Sequence, residues 1–154
     1  NSTFSGNRAL DGGGVATEQG TVNVTDSTFS GNNSIGLKGA LQEPASGSEL
    51  AGLISDKLGR TPLHIPGKAD PIKTVAWCTG AAQNYIELAV KAGVDAYITG
   101  EISEQTVHIA RETGIHFYAA GHHATERYGV QAVAAHLVRR FGLEHHFVDV
   151  DNPV

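Results

Sequence analysis

The feature that most constrains the fold of this chain is a unit that occurs three times in its second half. In each unit a short apolar run ends at a glycine, and a stretch with helical spacing follows and closes at another glycine. Strands that alternate with helices in this way are typical of α/β domains with parallel pairing. The sequence therefore predicts an α/β fold with a mixed, largely parallel sheet. The apolar runs are residues 75–78, 96–98 and 117–120, followed by Gly80, Gly100 and Gly121, and the helices close at Gly93, Gly114 and Gly142.

Two further elements are predicted around these units. Residues 49–58 keep the helical spacing of apolar side chains and are followed by Gly59, a typical helix stop. Prolines at positions 62, 66 and 71 exclude a regular helix from the next dozen residues. A last strand is predicted over residues 145–150, with His145 and His146 as structural residues.

The three strand ends carry the polar residues of interest. In open α/β sheets, ligands bind in the crevice beyond the carboxyl ends of the strands. These ends are Thr79-Gly80, Thr99-Gly100-Glu101 and Gly121-His122-His123, and we expect them at one edge of the sheet.

The N-terminal segment differs in composition and contains an internal repeat. The sequence STFSGN at residues 2–7 returns unchanged at residues 27–32, a period of 25 residues. Gly, Ser, Thr and Asn dominate this segment, which resembles the coils of parallel β-helix proteins such as bacterial surface adhesins. About one and a half coils is fewer than the roughly three repeats that such a stack needs. Residues 1–33 are therefore predicted to be a foreign β-helix-like or disordered segment, distinct from an α/β portion over residues 34–154.

Composition excludes several classes of function. The formal net charge of -5 and isoelectric point of about 5.9 do not favour nucleic acid or an anionic membrane as a partner. The single cysteine, Cys78, excludes an intrachain disulfide and favours a reducing, cytoplasmic compartment. No apolar run approaches the ~20 residues of a membrane span. The sequence contains no Met, so we expect a fragment or a processed product.

The motif GHHATER in the third unit is the main candidate site. If the helix begins behind its glycine, His122 and Glu126 are four residues apart and share one face of the first turn. An imidazole and a carboxylate so placed suit Zn, Fe, Mn or Ni, while His123 points about 100° away. The same spacing at His108 and Glu112 is read as a solvated surface contact. For His122 and Glu126, spacing alone is compatible with a surface contact or with a metal site. Their location at the end of a strand favours the metal site.

Longer stretches of the sequence resemble one family. They are SELAGLISDKLGRTPL, VAWCTGAAQ, the run from GVDAYITGEISEQT through AAGHHATERYGVQA, and the closing FVDVDNPV. These are similar to the Nif-three-like dinuclear-metal proteins, which are often named GTP cyclohydrolase type 2 homologues. The resemblance extends from about Ser34 to the end of the sequence.

This resemblance implies a hexamer, built as a trimer of dimers, with two divalent transition-metal ions (Zn, Fe or Mn) per subunit. His122 and Glu126 fall on ligand positions of the family, and Thr99, Glu101 and His123 fall nearby as outer or substrate-facing groups. Family members carry a further α/β half upstream with the remaining ligands, which has no counterpart in the preceding sequence. The chain is thus expected to be inactive alone, and its parent a hydrolase that opens the ring of a purine nucleotide.

Two other functions remain open from the sequence. One is a non-catalytic hexameric metal-binding or regulatory protein, and the other, suggested by residues 1–33 alone, is a fragment of a surface adhesin. Turnover of GTP with and without a chelator separates the enzyme from the binding protein.

Deletion of residues 1–33 tests the division of the chain. The segment holds few large apolar side chains, chiefly Phe4, Leu10 and Phe29, against an ordering cost of about 1–2 kcal/mol per residue. We expect the melting temperature, measured by circular dichroism, to stay nearly unchanged. A fall of many degrees would mean that the segment is docked on the α/β part.

Overall fold

The computed structural model describes residues 3–5, 28–30 and 37–154. Its strands are β1 (Thr3–Ser5), β2 (Thr28–Ser30), β3 (Leu37–Ala45), β4 (Leu63–Ile65), β5 (Ile72–Trp77), β6 (Ala96–Thr99) and β7 (His116–Ala119). Its helices are α1 (Gly47–Leu58), α2 (Ile86–Lys91), preceded by a 3-10 turn at Gln83–Tyr85, α3 (Glu104–Thr113) and α4 (His122–Phe141). In the described ranges no helix is both long and apolar enough to cross a membrane.

A five-stranded mixed sheet in the order β3-β5-β6-β7-β4 forms the centre of the fold. The three middle strands are parallel, and the two edge strands run antiparallel to their neighbours. The three glycines lie at one edge, because the Gly100 N–H donates to the Gly80 carbonyl at 3.0 Å and the Gly121 N–H to the Gly100 carbonyl at 2.9 Å. The predicted α/β fold and the common edge are confirmed.

The core occupies both faces of the sheet, as expected for parallel strands between helices. Alternate residues along β6 and β7 point to opposite faces. Tyr97 and Phe117 pack with α2 and α3 on one face, and Ala96 and Tyr118 pack with α1 on the other.

Helix α1 begins two residues earlier than the apolar spacing predicts. Ser46 caps it: its hydroxyl accepts a hydrogen bond from the Glu49 N–H, and the Glu49 carboxylate accepts one from the Ser46 N–H. This reciprocal pair satisfies two N–H groups that a helix start would otherwise leave free. Gly59 ends the helix with φ of +68°, as predicted.

The two edge strands are absent from the sequence predictions. β3 contains Pro44 and an irregularity in register between Ala40 and Ala45, and β4 is only three residues long. Proline is tolerated at sheet edges, where the strand needs hydrogen bonds on one side only. The proline and irregular register of β3, and the short length of β4, explain why the sequence pattern does not predict these two strands.

The predicted strand at residues 145–150 is wrong. Residues 142–154 contain no regular secondary structure. The side of β7 on which a further strand would pair is occupied by β4. The C-terminal segment instead lies against α4, where the Asp149 carboxylate contacts His123 at 2.6 Å and Arg127 at 3.0 Å.

The two copies of the N-terminal repeat pair with each other. β1 and β2 are parallel, with Thr3 opposite Thr28 and Phe4 opposite Phe29, which is the pairing expected of successive coils. β2 also lies beside α4. The rest of the repeat segment lies outside the described residues, and the adhesin resemblance stays a prediction.

A histidine pair ties β4 to β7. The His116 Nε2–H donates to the Ala69 carbonyl at 2.8 Å, so its Nδ1 is free to accept a hydrogen bond from His64 Nε2 at 3.0 Å. The His64 ring stacks on Tyr118 with centroids 4.3 Å apart. Burial, and then the neighbouring His116, lower the pKa of His64.

Stability should therefore depend on pH through His64. Because the pKa of His64 is lowered in the folded state, the unfolded chain binds a proton at this residue more readily than the folded chain below about pH 6.5. The stability that the neutral His64 contributes is therefore lost as the pH falls. His64→Gln keeps an N–H donor but cannot be protonated in this range. We expect a smaller decrease in melting temperature between pH 7 and pH 5 in the variant than in the wild type. Equal decreases would exclude His64 as the source.

Candidate metal site at the sheet edge

The first turn of α4 lies directly against the carboxyl edge of the sheet. A methyl group on Gly100 would lie 2.7 Å both from the Gly80 carbonyl oxygen and from the Cα of His122. Only glycine permits this approach of strand end to helix start. The helix therefore delivers His122, its first residue, to the crevice between β5 and β6.

His122 lies between two carboxylates. Its Nδ1 is 2.6 Å from Glu101 Oε1, and its Nε2 is 3.2 Å from Glu126 Oε2. Glu101 follows β6 and Glu126 lies one turn further along α4, so the sheet and the helix each supply one carboxylate. All three side chains are partly exposed.

Gly80 leaves space in front of this pair. With φ of +70°, its backbone adopts a conformation that favours glycine, and an added Cβ would collide with Glu126 Oε1 and lie 3.2 Å from His122 Nε2. Thr125 fixes the loop from the other side: its hydroxyl accepts from the Gly80 N–H at 3.1 Å and donates to the His122 carbonyl at 3.0 Å. His122 Nε2 and the Glu126 carboxylate thus converge beside Gly80.

The electrostatics of the site follow from these contacts. The hydrogen bond to Glu101, and then the charge of Glu126, raise the pKa of His122 above its ordinary value. Burial, and then the charge of Glu126, raise the pKa of the Cys78 thiol. The site therefore attracts positive charge and disfavours a further negative one.

Two of the candidate residues face elsewhere. The Thr99 hydroxyl is buried and donates to the Gly80 carbonyl at 3.1 Å, so it supports the loop beneath the site. His123 Nε2 contacts Asp149 at 2.6 Å and holds the C-terminal segment. The structure thus brings together His122, Glu126 and Glu101, while His108 is exposed on α3.

Sequence reasoning missed two contributors to the site, Arg60 and Asp149, and did not give the role of a third, Gly80. The sequence predicts Gly80 at a strand end, and the structure adds that a side chain at this position would collide with Glu126. The Arg60 side chain packs against Gly121 and donates to the Asn152 carbonyl at 3.4 Å. Asp149 anchors the C-terminal segment, which helps to form an open groove of about 480 Å³. The groove is lined by His122, His123, Glu126, Arg127, Val130, Phe147, Asn152 and Val154.

His122 and Glu126 bring an imidazole nitrogen and a carboxylate oxygen to 3.2 Å from each other. Over residues 3–5, 28–30 and 37–154 no group of three or more His, Cys, Asp or Glu side chains has the arrangement of a metal site. Glu101 does not add a third ligand, because it lies on the opposite nitrogen of the imidazole from Glu126. Fold and site together define an α/β protein with a histidine–carboxylate cluster at the carboxyl edge of its parallel strands.

The chain belongs to the Duf34/NIF3 (NGG1p interacting factor 3) family, whose sequence profile matches residues 7–153. It is 58% identical over 120 residues to the "GTP cyclohydrolase 1 type 2 homolog" of Pseudomonas aeruginosa, covering 78% of this chain and 47% of the relative. A solved structure described as "protein ybgI, unknown function" is 50% identical, with a TM-score of 0.73 over 76% of this chain and 48% of that chain. The Bacillus cereus protein related to NIF3 gives 25% identity and a TM-score of 0.65 over 76% of this chain and 34% of that chain.

The chain spans about half the length of the curated relatives it matches. The family resemblance expected from the sequence is thus confirmed. The activity and assembly of the relatives belong to polypeptides about twice the length of the matched region.

Replacement of Glu101 by Gln tests the electrostatics of the site. The variant keeps an acceptor for His122 Nδ1 but removes the charge, so the pKa of His122 should fall in the metal-free protein. Titration of the imidazole signals by NMR measures it. Glu104→Gln, an exposed change in the first turn of α3, is the matched control and should leave that pKa in place. Equal titration curves for His122 in all three proteins would contradict the assignment.

Proposed function

We propose that this chain contributes His122 and Glu126 as ligands to a divalent transition-metal site. The observation that carries the proposal is the convergence of His122 Nε2 and Glu126 Oε2, 3.2 Å apart, on the space left by Gly80. Nitrogen and carboxylate oxygen are the donors that Zn, Fe and Mn accept in proteins. The residues present therefore fit such an ion.

Glu101 has a positioning role in this proposal. Metal-bound histidines usually donate their second ring N–H to a carboxylate, which fixes the tautomer and the orientation of the ring. The Glu101 contact at His122 Nδ1 supplies this partner and leaves Nε2 free to bind. Loss of a proton from His122 must accompany binding, because only the neutral imidazole is a ligand.

A complete site needs more ligands than this cluster offers. A protein-bound transition ion generally has at least three protein ligands, and residues 1–36 contain no histidine. We propose that the further ligands come from another polypeptide region, as the dinuclear, hexameric family implies. Two ions per subunit and a hexameric ring are then properties of the whole assembly.

The reaction proposed for that assembly is hydrolytic ring opening of a purine nucleotide or related cyclic amide. The relatives' name, "GTP cyclohydrolase 1 type 2 homolog", supports this class of substrate. Bound metal would supply an activated water at neutral pH. The role of this chain's residues is to bind and orient: His122 and Glu126 hold the ion, and Glu101 holds His122.

A non-catalytic metal-binding function is the second candidate. One observation favours it: His123, the nearest further imidazole, is engaged with Asp149 and is not aimed at the open space. The His123 imidazole is thus engaged elsewhere and does not serve as a proton-transfer group beside the pair. GTP turnover by the P. aeruginosa relative with and without chelator distinguishes the two functions.

Calorimetric titration with Zn²⁺ and Mn²⁺ tests the metal proposal. We expect the chain to bind either ion more weakly than the full-length P. aeruginosa relative and to show no GTP ring opening. His122→Ala and Glu126→Ala should each abolish the remaining binding, since each removes one of two ligands. His108→Ala, a histidine exposed on α3, is the control and should bind like the wild type. Unchanged binding in the His122 variant would show that the site lies elsewhere.

A further inference from the structure

The hydrogen bonds between the strand-end glycines continue into the first turn of α4 and close there. The Gly121 N–H donates to the Gly100 carbonyl at 2.9 Å, and the Gly100 N–H donates to the Gly80 carbonyl at 3.0 Å. The Gly80 N–H donates in turn to the Thr125 hydroxyl at 3.1 Å. Thr125 then donates to the carbonyl of His122 at 3.0 Å, and His122 directly follows Gly121 in the sequence. These five residues form a closed series, called the strand-end network below.

Thr125 is the member of the strand-end network that contributes a side chain. The other members contribute backbone groups, whereas the Thr125 hydroxyl accepts one hydrogen bond and donates another. A hydroxyl can do both at once, because it has one proton and two lone pairs. Hydrogen bonds in such a series polarise one another, so the loss of one weakens its neighbours. The network therefore depends on a hydroxyl that a single substitution can remove.

Gly80 forms one side of the candidate metal pair. Its backbone lies so close that an added Cβ would collide with Glu126 Oε1 and would lie 3.2 Å from His122 Nε2. The opposite nitrogen of the imidazole, Nδ1, lies 2.6 Å from Glu101. The orientation of His122 is thus limited from two sides, by a carboxylate that follows β6 and by the backbone that follows β5.

Thr125 determines where the N–H side of Gly80 lies. The carbonyl of Gly80 is anchored to the sheet edge, by hydrogen bonds from the Gly100 N–H at 3.0 Å and from the Thr99 hydroxyl at 3.1 Å. The N–H is held by the hydroxyl of Thr125. Glycine has the widest conformational freedom of the amino acids. Without that hydroxyl, the peptide group that precedes Gly80 could therefore turn toward water while the carbonyl stays in place.

The position of Thr125 in α4 links it to both candidate ligands. It lies three residues after His122 and one residue before Glu126, and residues three or four apart share one face of a helix. Its hydroxyl bonds the backbone of His122 on one side and Gly80 on the other. Thr125 thereby couples the loop after β5 to the helical turn that carries the candidate ligands.

We propose that Thr125 is a positioning residue for the metal pair. Its hydroxyl holds Gly80 against His122 and Glu126, and the two donors thereby keep the arrangement that binds the ion. Thr125 acts through Gly80 and does not bind the ion itself. The effect on metal affinity rests on the proposed function, whereas the position of Gly80 can be measured in the metal-free protein. A failure of one proposal can therefore be distinguished from a failure of the other.

Three variants of the full 154-residue chain test this role. Thr125→Val has nearly the shape of threonine but lacks the hydroxyl, and Thr125→Ser keeps the hydroxyl. Thr106→Val is the matched control, because it removes a buried threonine hydroxyl from the first turn of α3, where it hydrogen-bonds to Ser103 at 2.8 Å. Circular dichroism of the three variants checks that they fold.

Hydrogen exchange in the presence of EDTA measures the network without metal. We expect the Gly80 amide, relative to the Gly100 amide, to exchange about tenfold faster in Thr125→Val than in the wild type, because a local opening frees it. The Gly100 amide keeps its backbone acceptor and corrects for changes in overall stability. Thr125→Ser and Thr106→Val should give the wild-type ratio. Nuclear Overhauser contacts from the Gly80 α-protons to the His122 imidazole should weaken in Thr125→Val alone.

Calorimetric titration with Zn²⁺ measures the consequence for the metal pair. Thr125→Val should bind about tenfold more weakly than the wild type, as is typical when a group that supports metal ligands is lost, and the other two variants should bind like the wild type. Unchanged Gly80 exchange or unchanged affinity in Thr125→Val would overturn the role of Thr125, as would a loss that Thr125→Ser does not restore. Absence of zinc binding by the wild type would overturn the metal site, and this role with it.

Discussion

The parallel pairing of β5, β6 and β7 is the interaction on which the rest of the structure depends. It aligns three strand ends, and the hydrogen bonds from Gly100 to Gly80 and from Gly121 to Gly100 continue the ladder beyond the strands. Because parallel strands are joined by helices that return to the opposite edge, every loop that follows a strand opens on the same side. Residues that are 20 to 40 positions apart in the sequence thereby become neighbours.

Glycine makes this edge useful for chemistry. The absence of a side chain at Gly100 lets the first turn of α4 rest on the sheet, and the absence of one at Gly80 leaves room beside His122 and Glu126. The same imidazole is held from its other nitrogen by Glu101. A histidine at the start of a helix is thus fixed in orientation by a carboxylate from a neighbouring strand end.

The histidine–carboxylate cluster lies next to apolar side chains, since Val130 and Phe147 line the same groove as His122 and Glu126. His122 and Glu126 are 3.2 Å apart, and the outer face of α4 and the C-terminal segment expose large apolar side chains. The chain spans about half of its curated relatives.

The sequence by itself determined the α/β class, the common edge of the three glycines, and the pairing of His122 with Glu126, because these follow from local periodicity and spacing. Tertiary structure decided what depends on competition between distant segments. β4 occupies the edge of β7, so residues 145–150 form no strand. Asp149 binds the His123 side chain, which therefore does not face His122 and Glu126. The direction of a side chain and the occupancy of a sheet edge depend on which distant group packs there, and one-dimensional spacing carries no information about that.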